Sequence, residues 1–406
     1  MDKLRIAFVI NGSLDQVSGG FIYDRALIAA LRAAGHQVDV CELPQQPYVG
    51  VVAQSLARAG WRWASHRVRA AVGGPRPPAA VSYDAVIHDE LIHPAVFLPD
   101  VAGAPRGKVL LALVHNLRSN QPAERLAIIK TRVERRYLAT VDGVVAVCAQ
   151  TLGDARALAG RLLPGVVVYP GRDHVKPALD EAVIVTRARE PGPLRVLHVA
   201  AVRPHKGLAR LLAALALARD GGLDFVLDVV GCLDVRRYAR ALRGQVARAG
   251  LDGRVRFHGQ RSGAELQAFF ERCQVFALPS DREAYSLACL EALGFGLPIL
   301  ATSSGGLGEM VTSGQHGLLL EPHDTAAWAH ALRRLGTDRD ALGGMAVAAL
   351  ARYRAHLTWR EAAADVATFI VARLAAVPDA RSSAGMDPPA RGPLAASKQA
   401  PGSVGP

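Results

Sequence analysis

The chain has 406 residues, half of them apolar and about a fifth charged, an ordinary globular composition long enough for two domains with a core each. Residues 1–180 hold 21 basic and 15 acidic side chains and residues 181–406 hold 27 and 21, so each part carries +6 of the total of +12. That even spread argues against a dedicated nucleic-acid arm and is compatible with anionic small substrates or an anionic membrane surface. Arg outnumbers Lys 42 to 6, a bias that reads as genome composition. The five cysteines (Cys41, Cys148, Cys232, Cys273 and Cys289) have no C-x-x-C pairing, which predicts reduced thiols in a cytosolic setting and no zinc site. The opening IAFVI run is short and leads into a glycine loop, so no signal peptide is expected, and no apolar run approaches membrane-spanning length.

Leu4 to Ile10 is a continuous apolar run, as in a parallel strand buried on both faces. The loop NGSLDQVSGG follows, then a predicted helix from Phe21 to Ala34 and a strand HQVDVCEL. This is a β–loop–α–β unit without G-x-G-x-x-G; Gly19 and Gly20 either admit a ligand close to the backbone or form a flexible turn. Residues 51–72 fit a helix with Val52, Leu56, Ala59 and Trp63 on one side and Arg58, Arg62 and Arg69 beside them. A second basic stretch, ERLAIIKTRVERRYL, covers 124–138. Such helices suit an anionic membrane surface, or are simply solvated.

Two further strand runs start at Tyr83 and Lys108, and each ends in polar residues where open parallel sheets bind ligands. His115 stands at the end of the second and is either hydrogen-bonded structure or part of a site. Asp89, Glu90 and His93 are cleft candidates of the same kind. DGVVAVC (142–148) and Val166 to Tyr169 complete a first sheet.

Residues 174–193 lose apolar periodicity and carry Pro177, Pro191, Gly192 and Pro193, which predicts a linker. The strand LRVLHVAA follows, then Arg203-Pro204-His205-Lys206-Gly207 before a helix. Cations there, beside free helix N–H groups, make an anion site. Loops at Gly231 and His258-Gly259 end the next strands and are places for a nucleotide base. Then comes FALPSDREAYSLACLEALGFGLPILATSSGGLGEM, a buried strand, a polar loop, a helix expected from Ala284 to Leu293, a second strand and a glycine turn. Glu283 and Glu291 are eight residues apart, about 12 Å of rise on a helix, near the span from ribose to hexose in a nucleotide-diphosphate sugar. Asp338-Arg339-Asp340, at a helix start, reads as capping and not as a metal pair. From Val377 onward Pro, Gly, Ser and Ala dominate, the composition of a disordered tail.

Glu283, Glu291, Ala292, Gly296, Pro298, Gly305, Gly306 and Glu309 together resemble the E-x7-E-A-x-x-x-G-x-P and G-G-x-x-E signature of retaining GT-B glycosyltransferases of family-four type, the glycosyl transferases group 1. The resemblance implies an α/β fold of two doubly wound Rossmann-like domains facing across a cleft: an acceptor-side domain over 1–176, a linker over 177–193, a nucleotide-sugar domain over 194–356, a helix over 357–375 returning to the first domain, and the tail over 376–406. It implies transfer of a hexose from a UDP-, GDP- or ADP-linked sugar with retention, to a carbohydrate, lipid-linked or small-molecule acceptor. No cofactor, metal or nucleic acid is implied, and the location is cytoplasmic or peripheral at the inner face of the membrane.

It also assigns roles. Arg203, Lys206 and the amides of Ser286 and Leu287 receive the diphosphate, Glu291 the ribose, Glu283 the hexose, Gly231 the nucleotide loop, and Gly19 and Gly20 the cleft, with His115 orienting the sugar from the opposite wall. With no obvious covalent nucleophile, attack on the face of the departing phosphate is the simplest chemistry. One departure stands out: Tyr169-Pro170-Gly171-Arg172-Asp173 lacks the family's asparagine before the glycine, which leaves that asparagine's contact in doubt. Two rivals remain: a nucleotide-sugar epimerase of the same fold, a class that usually lacks the E-x7-E helix unit, and a non-catalytic nucleotide-sugar-binding subunit.

Overall fold

The computed structural model describes residues 3–16, 18–43, 82–96, 107–120, 127–177 and 179–376. The helix expected over 51–72 and the tail beyond 376 lie outside them. Strands β1 (Arg5–Asn11), β2 (Gln37–Leu43), β3 (Tyr83–Asp89), β4 (Gly107–Val114), β5 (Gly143–Ala146) and β6 (Gly165–Val167) form one sheet in the order β2-β1-β3-β4-β5-β6. Strands β7 (Leu194–Val199), β8 (Phe225–Val230), β9 (Val255–Gly259), β10 (Val275–Leu278), β11 (Ile299–Thr302) and β12 (Gly317–Leu320) form the other, β12-β11-β10-β7-β8-β9. Every pairing is parallel. This is the doubly wound α/β class expected.

The apolar runs become central strands because helices cover both faces; Ile6, Phe8 and Ile10 of β1 and Val196 and Leu197 of β7 are fully buried. In each sheet the strand order reverses beside the first strand, β1 or β7, so a crevice opens at the carboxyl ends there.

Among the described residues of the first half the longer helices are α1 (Gly19–Ala33), α2 (Ala127–Leu138) and α3 (Ala149–Ala159). Helix α1 begins two residues earlier than expected because Ser18 caps it, its hydroxyl accepting from the Phe21 amide. The stretch 177–193 is not loop throughout: α4 (Glu181–Arg189) runs through it and buries Ile184, Arg187 and Ala188. Its composition hid the helix because only one turn-spaced apolar pair, Ile184 and Ala188, faces inward. Arg187 donates from Nη1 to the carbonyls of Phe270 and Glu271 and from Nη2 to those of Phe295 and Gly296.

Helices α5 (Leu208–Asp220), α6 (Arg236–Arg248), α7 (Gly263–Arg272), α8 (Leu287–Gly294), α9 (Thr325–Thr337), α10 (Arg339–Arg354) and α11 (Trp359–Ala376) complete the second half. Asp338 caps α10 by accepting from Ala341 N, while Asp340 pairs with Arg189 at the surface. Helix α11 lies against α1 and the first sheet, burying Trp359, Ala362, Ala363, Val366, Ala367 and Ile370. None of the described helices is long and apolar enough to cross a membrane.

The Tyr169–Asp173 turn clasps the start of α11. The Asp173 carboxylate accepts from Trp359 N (2.8 Å), Arg172 Nε donates to His356 O (2.7 Å), and the Tyr353 hydroxyl donates to Arg172 O. Gly171 packs on the Trp359 backbone so closely that a methyl group there would lie 2.2 Å from the Trp359 nitrogen.

Candidate active site

The polar cluster of the second domain forms at the carboxyl ends of β7, β10 and β11. Lys206 ends a short 3-10 turn after β7 (Pro204–Lys206) and donates from Nζ to Glu283 Oε1 at 2.6 Å. Ser280 donates to the same oxygen, which leaves Glu283 nearly buried with one oxygen doubly held. Gly207 makes this approach feasible: it adopts φ +74°, and a methyl group on it would sit 1.8 Å from the Pro279 carbonyl oxygen. Gly305 does the same from the other side at φ +101°, with its backbone bridged to Glu283 and the Gly306 amide donating to Glu283 O.

That bridge holds Glu283 outside the helix. Helix α8 starts at Leu287, three residues later than expected, capped by Ser286, whose hydroxyl accepts from Cys289 N. Helical rise therefore does not set the Glu283–Glu291 separation; the β10-to-α8 loop does. The amides of Ser286 and Leu287 make no hydrogen bond among the described residues, so the N-terminus of α8 offers free donors.

Glu291, inside α8, accepts from His174 Nε2 at 3.0 Å, while His174 Nδ1 lies 3.0 Å from Gly171 O. Both partners are acceptors, an arrangement that favours the ring donating at both nitrogens. Burial alone lowers its pKa, but Glu291 and the Gly171 carbonyl outweigh that and raise it. His174 carried no signal in the sequence beyond its place in a turn.

A second histidine was equally unmarked. His198, one residue before the carboxyl end of β7, is fully buried and its Nδ1 donates to Ala277 O at 2.8 Å. Its Nε2 has no partner among the described residues. Burial lowers its pKa to about 4, so the ring is neutral and Nε2 is a lone pair, which feels both Lys206 and Glu283.

Arg203 behaves differently from Lys206. It pairs with Asp234 at 2.7 Å, and both are substantially exposed. The structure thus separates the two cations that the spacing put together, one on Glu283 and one on the rim. Gly231 sits at φ +157° with the Ala200 carbonyl 1.8 Å from where a methyl group would lie, so the loops after β7 and β8 touch at that point.

The first domain contributes His115 at the end of β4. Its Nε2 donates to Asp24 Oδ1 at 3.1 Å, its ring meets Tyr23 edge-on at 5.1 Å, and a methyl group at Gly20 would press on it at 3.3 Å. Glu90 accepts from the amides of His115 and Asn116, which fixes the strand end. Burial works against a charge on His115, yet Asp24, Glu90 and Asp89 together raise its pKa to about 9. Asp89 is pushed well above the usual carboxylate range by burial and by Asp24. Asp89 caps Leu91, and His93 Nδ1 lies by Glu90 O. Gly19 is the first residue of α1 with open space around it.

Asp24, Asp89 and His115 bring three donor atoms within 4.8 Å of one another, the one group of that kind among the described residues. All five cysteines are free.

The second domain also reaches the first through the glycine turn. Glu309 accepts from Ala149 N (2.8 Å) and Gln150 N (3.0 Å) at the start of α3 and from the Tyr169 hydroxyl (2.9 Å). Arg282 pairs with Asp154 on α3 at 2.5 Å.

Residues 184–349 match the family model described as glycosyl transferases group 1. D-inositol 3-phosphate glycosyltransferase of Arthrobacter sp. is 27% identical over 293 residues, 68% of each chain. Glycogen synthase of Mycobacterium tuberculosis is 28% identical over 295 residues, 70% of this chain and 67% of that one. Among solved structures, sucrose-phosphate synthase from Thermosynechococcus elongatus superposes with a TM-score of 0.72 at 20% identity, covering 92% of this chain and all of that one. The Anabaena protein HepE, solved with UDP and glucose, gives 0.68 at 18% over 91% of this chain and all of that one. Residues 184–349 are thus similar to the glycosyl transferases group 1, and the chain as a whole has the two-sheet GT-B fold of these solved structures.

Proposed function

We propose that the protein transfers a hexose from a nucleotide-diphosphate sugar to an acceptor hydroxyl with retention of configuration and without a metal. The observation that carries this reading is the Lys206–Glu283 pair set beside the free Ser286 and Leu287 amides at the start of α8, with Glu291 on that same helix. Lys206 and the amides of Ser286 and Leu287 take the diphosphate, an electrostatic role that grows as charge develops on the leaving group. Glu283 takes hexose hydroxyls and Glu291 the ribose. Arg203 assists from the rim once the phosphate competes with Asp234. His115 orients the sugar from the first domain.

The bond from the anomeric carbon to the diphosphate breaks with its electron pair going to phosphate oxygen. The acceptor oxygen bonds to the same face, and its proton passes to that phosphate oxygen. Closure of the cleft excludes water. UDP is the nucleotide to try first, since HepE was solved with UDP and with UDP-glucose.

The test is thermal stabilisation and slow nucleoside-diphosphate release with UDP-, GDP- and ADP-sugars, with and without EDTA, for wild type, Glu291→Ala and Lys206→Ala. One nucleotide should stabilise the wild type and neither variant, and EDTA should leave release unchanged. Binding without any turnover, given a range of acceptors, would favour the binding-only subunit. Binding retained in both variants would remove the site assignment, and loss with EDTA the metal-free chemistry.

A further inference from the structure

Helix α2 has two faces of opposite character. Val133, Tyr137 and Leu138 point into the first domain together with Lys130 and Glu134. The other side is a stripe made of Ile128, Ile129, Arg132, Arg135 and Arg136, all exposed and all within one third of the helix circumference. Ile128 is 70% and Ile129 44% exposed, adjacent large apolar side chains where solvent-facing ones usually stand singly. The stripe bears no carboxylate: Glu134 is turned inward and accepts from Ser119 N. None of the three arginines has an ion-pair or hydrogen-bond partner among the described residues.

The stripe also has a direction. Tyr137, in the last turn, stacks on His88 at the carboxyl end of β3, and Glu134 reaches the loop just after His115. The helix follows β4 and leads into the parallel strand β5, so its start, with Ile128 about 13 Å along the axis from Tyr137, is on the carboxyl side of the sheet, where the cleft opens.

We propose that this stripe docks the protein on an anionic lipid bilayer, with Ile128 and Ile129 entering the headgroup–acyl boundary and the three arginines on lipid phosphates. Charge complementarity selects the partner. Two isoleucines are too few to hold a neutral bilayer, and three arginines alone would serve any polyanion, but together they suit a surface that is both negative and penetrable. Docking by this face sets the mouth of the cleft toward the membrane, which favours a lipid-linked acceptor. The surface goes beyond the transfer reaction and does not depend on it.

Co-sedimentation of the full chain with phosphatidylglycerol vesicles, phosphatidylcholine vesicles and heparin tests it, using wild type, Ile128→Ser/Ile129→Ser and Arg132→Ala/Arg135→Ala/Arg136→Ala. Wild type should bind phosphatidylglycerol and not phosphatidylcholine, and each variant should bind about tenfold or more weakly. Nucleotide-sugar hydrolysis without vesicles should be equal in all three, which separates failure of this surface from failure of the transferase reading. Equal binding to both vesicles, binding to heparin alone, no vesicle binding, or variants that bind like wild type would each overturn it.

Discussion

His115 illustrates how a neighbour reverses what burial dictates. Its pKa, about 9 in the folded chain against an ordinary 6.5, is raised because Asp24 accepts its proton while Asp89 and Glu90 add negative charge. A raised folded value contributes stability that is complete below about 6.5 and is lost as pH climbs through 9. Asp89, raised as well, pulls in the same direction. Denaturant unfolding at pH 6, 7.5 and 9 should therefore show declining stability, by about 3 kcal/mol in all, and His115→Gln should flatten most of that slope. An unchanged slope in the variant would mean another group carries it. At the second cluster, Lys206→Ala should lower kcat/KM for donor hydrolysis by about 10²–10³ with the fold intact by circular dichroism; a change confined to KM would make Lys206 a ground-state binder. The sequence marked Lys206, Glu283, Glu291 and His115 through motif and strand-end position. It left His174, His198, Asp24 and Ser280 unmarked, because His174 meets Glu291 across 117 residues and Asp24 meets His115 across 91, separations that no local pattern encodes.

At the scale of elements, the apolar runs of the parallel strands were legible because burial on both faces removes alternation. Element boundaries shifted where a side chain competed for the backbone: Ser18 started α1 early, and Ser286 with the Glu283–Gly305 bridge delayed α8. Helix α4 was hidden because its strongest anchor is a charge. Arg187 holds the last carbonyls of α7 and the two carbonyls after α8, and burial lowers its pKa to about 10. Arg187→Ala leaves those buried acceptors empty and should cost about 3 kcal/mol or more, read as a drop in unfolding midpoint. A change below about 0.5 kcal/mol would show that water replaces the guanidinium.

For the whole molecule, the described residues of the two domains meet through a set of polar contacts in which Glu309 makes three, beside Arg282–Asp154 and His174–Glu291. A carboxylate on free amides at a helix N-terminus is a charge-assisted contact of about 1.5–3 kcal/mol, enough to bias a hinge. Glu309→Ala should enlarge the radius of gyration in solution scattering and raise donor KM several-fold, with thermal stability of each domain kept. Identical scattering curves would rule out Glu309 as a contact that holds the cleft. The Tyr169–Asp173 turn belongs to the same scale: where the expected asparagine is missing, the chain uses Gly171, Arg172 and Asp173 to seat α11 on the first domain.

Local pattern by itself determined the parallel strands and the α/β class, because buried strand runs are a short-range property, and the family resemblance singled out the carboxylates and lysine of the second domain. Tertiary structure alone decided which charges meet. Lys206 turns to Glu283 while Arg203, three residues away, turns to Asp234. His115 keeps its proton because strand β4 ends beside Asp24 of α1. Those outcomes depend on Coulomb energies that fall with distance in space, and distance in space is set by packing, not by position along the chain.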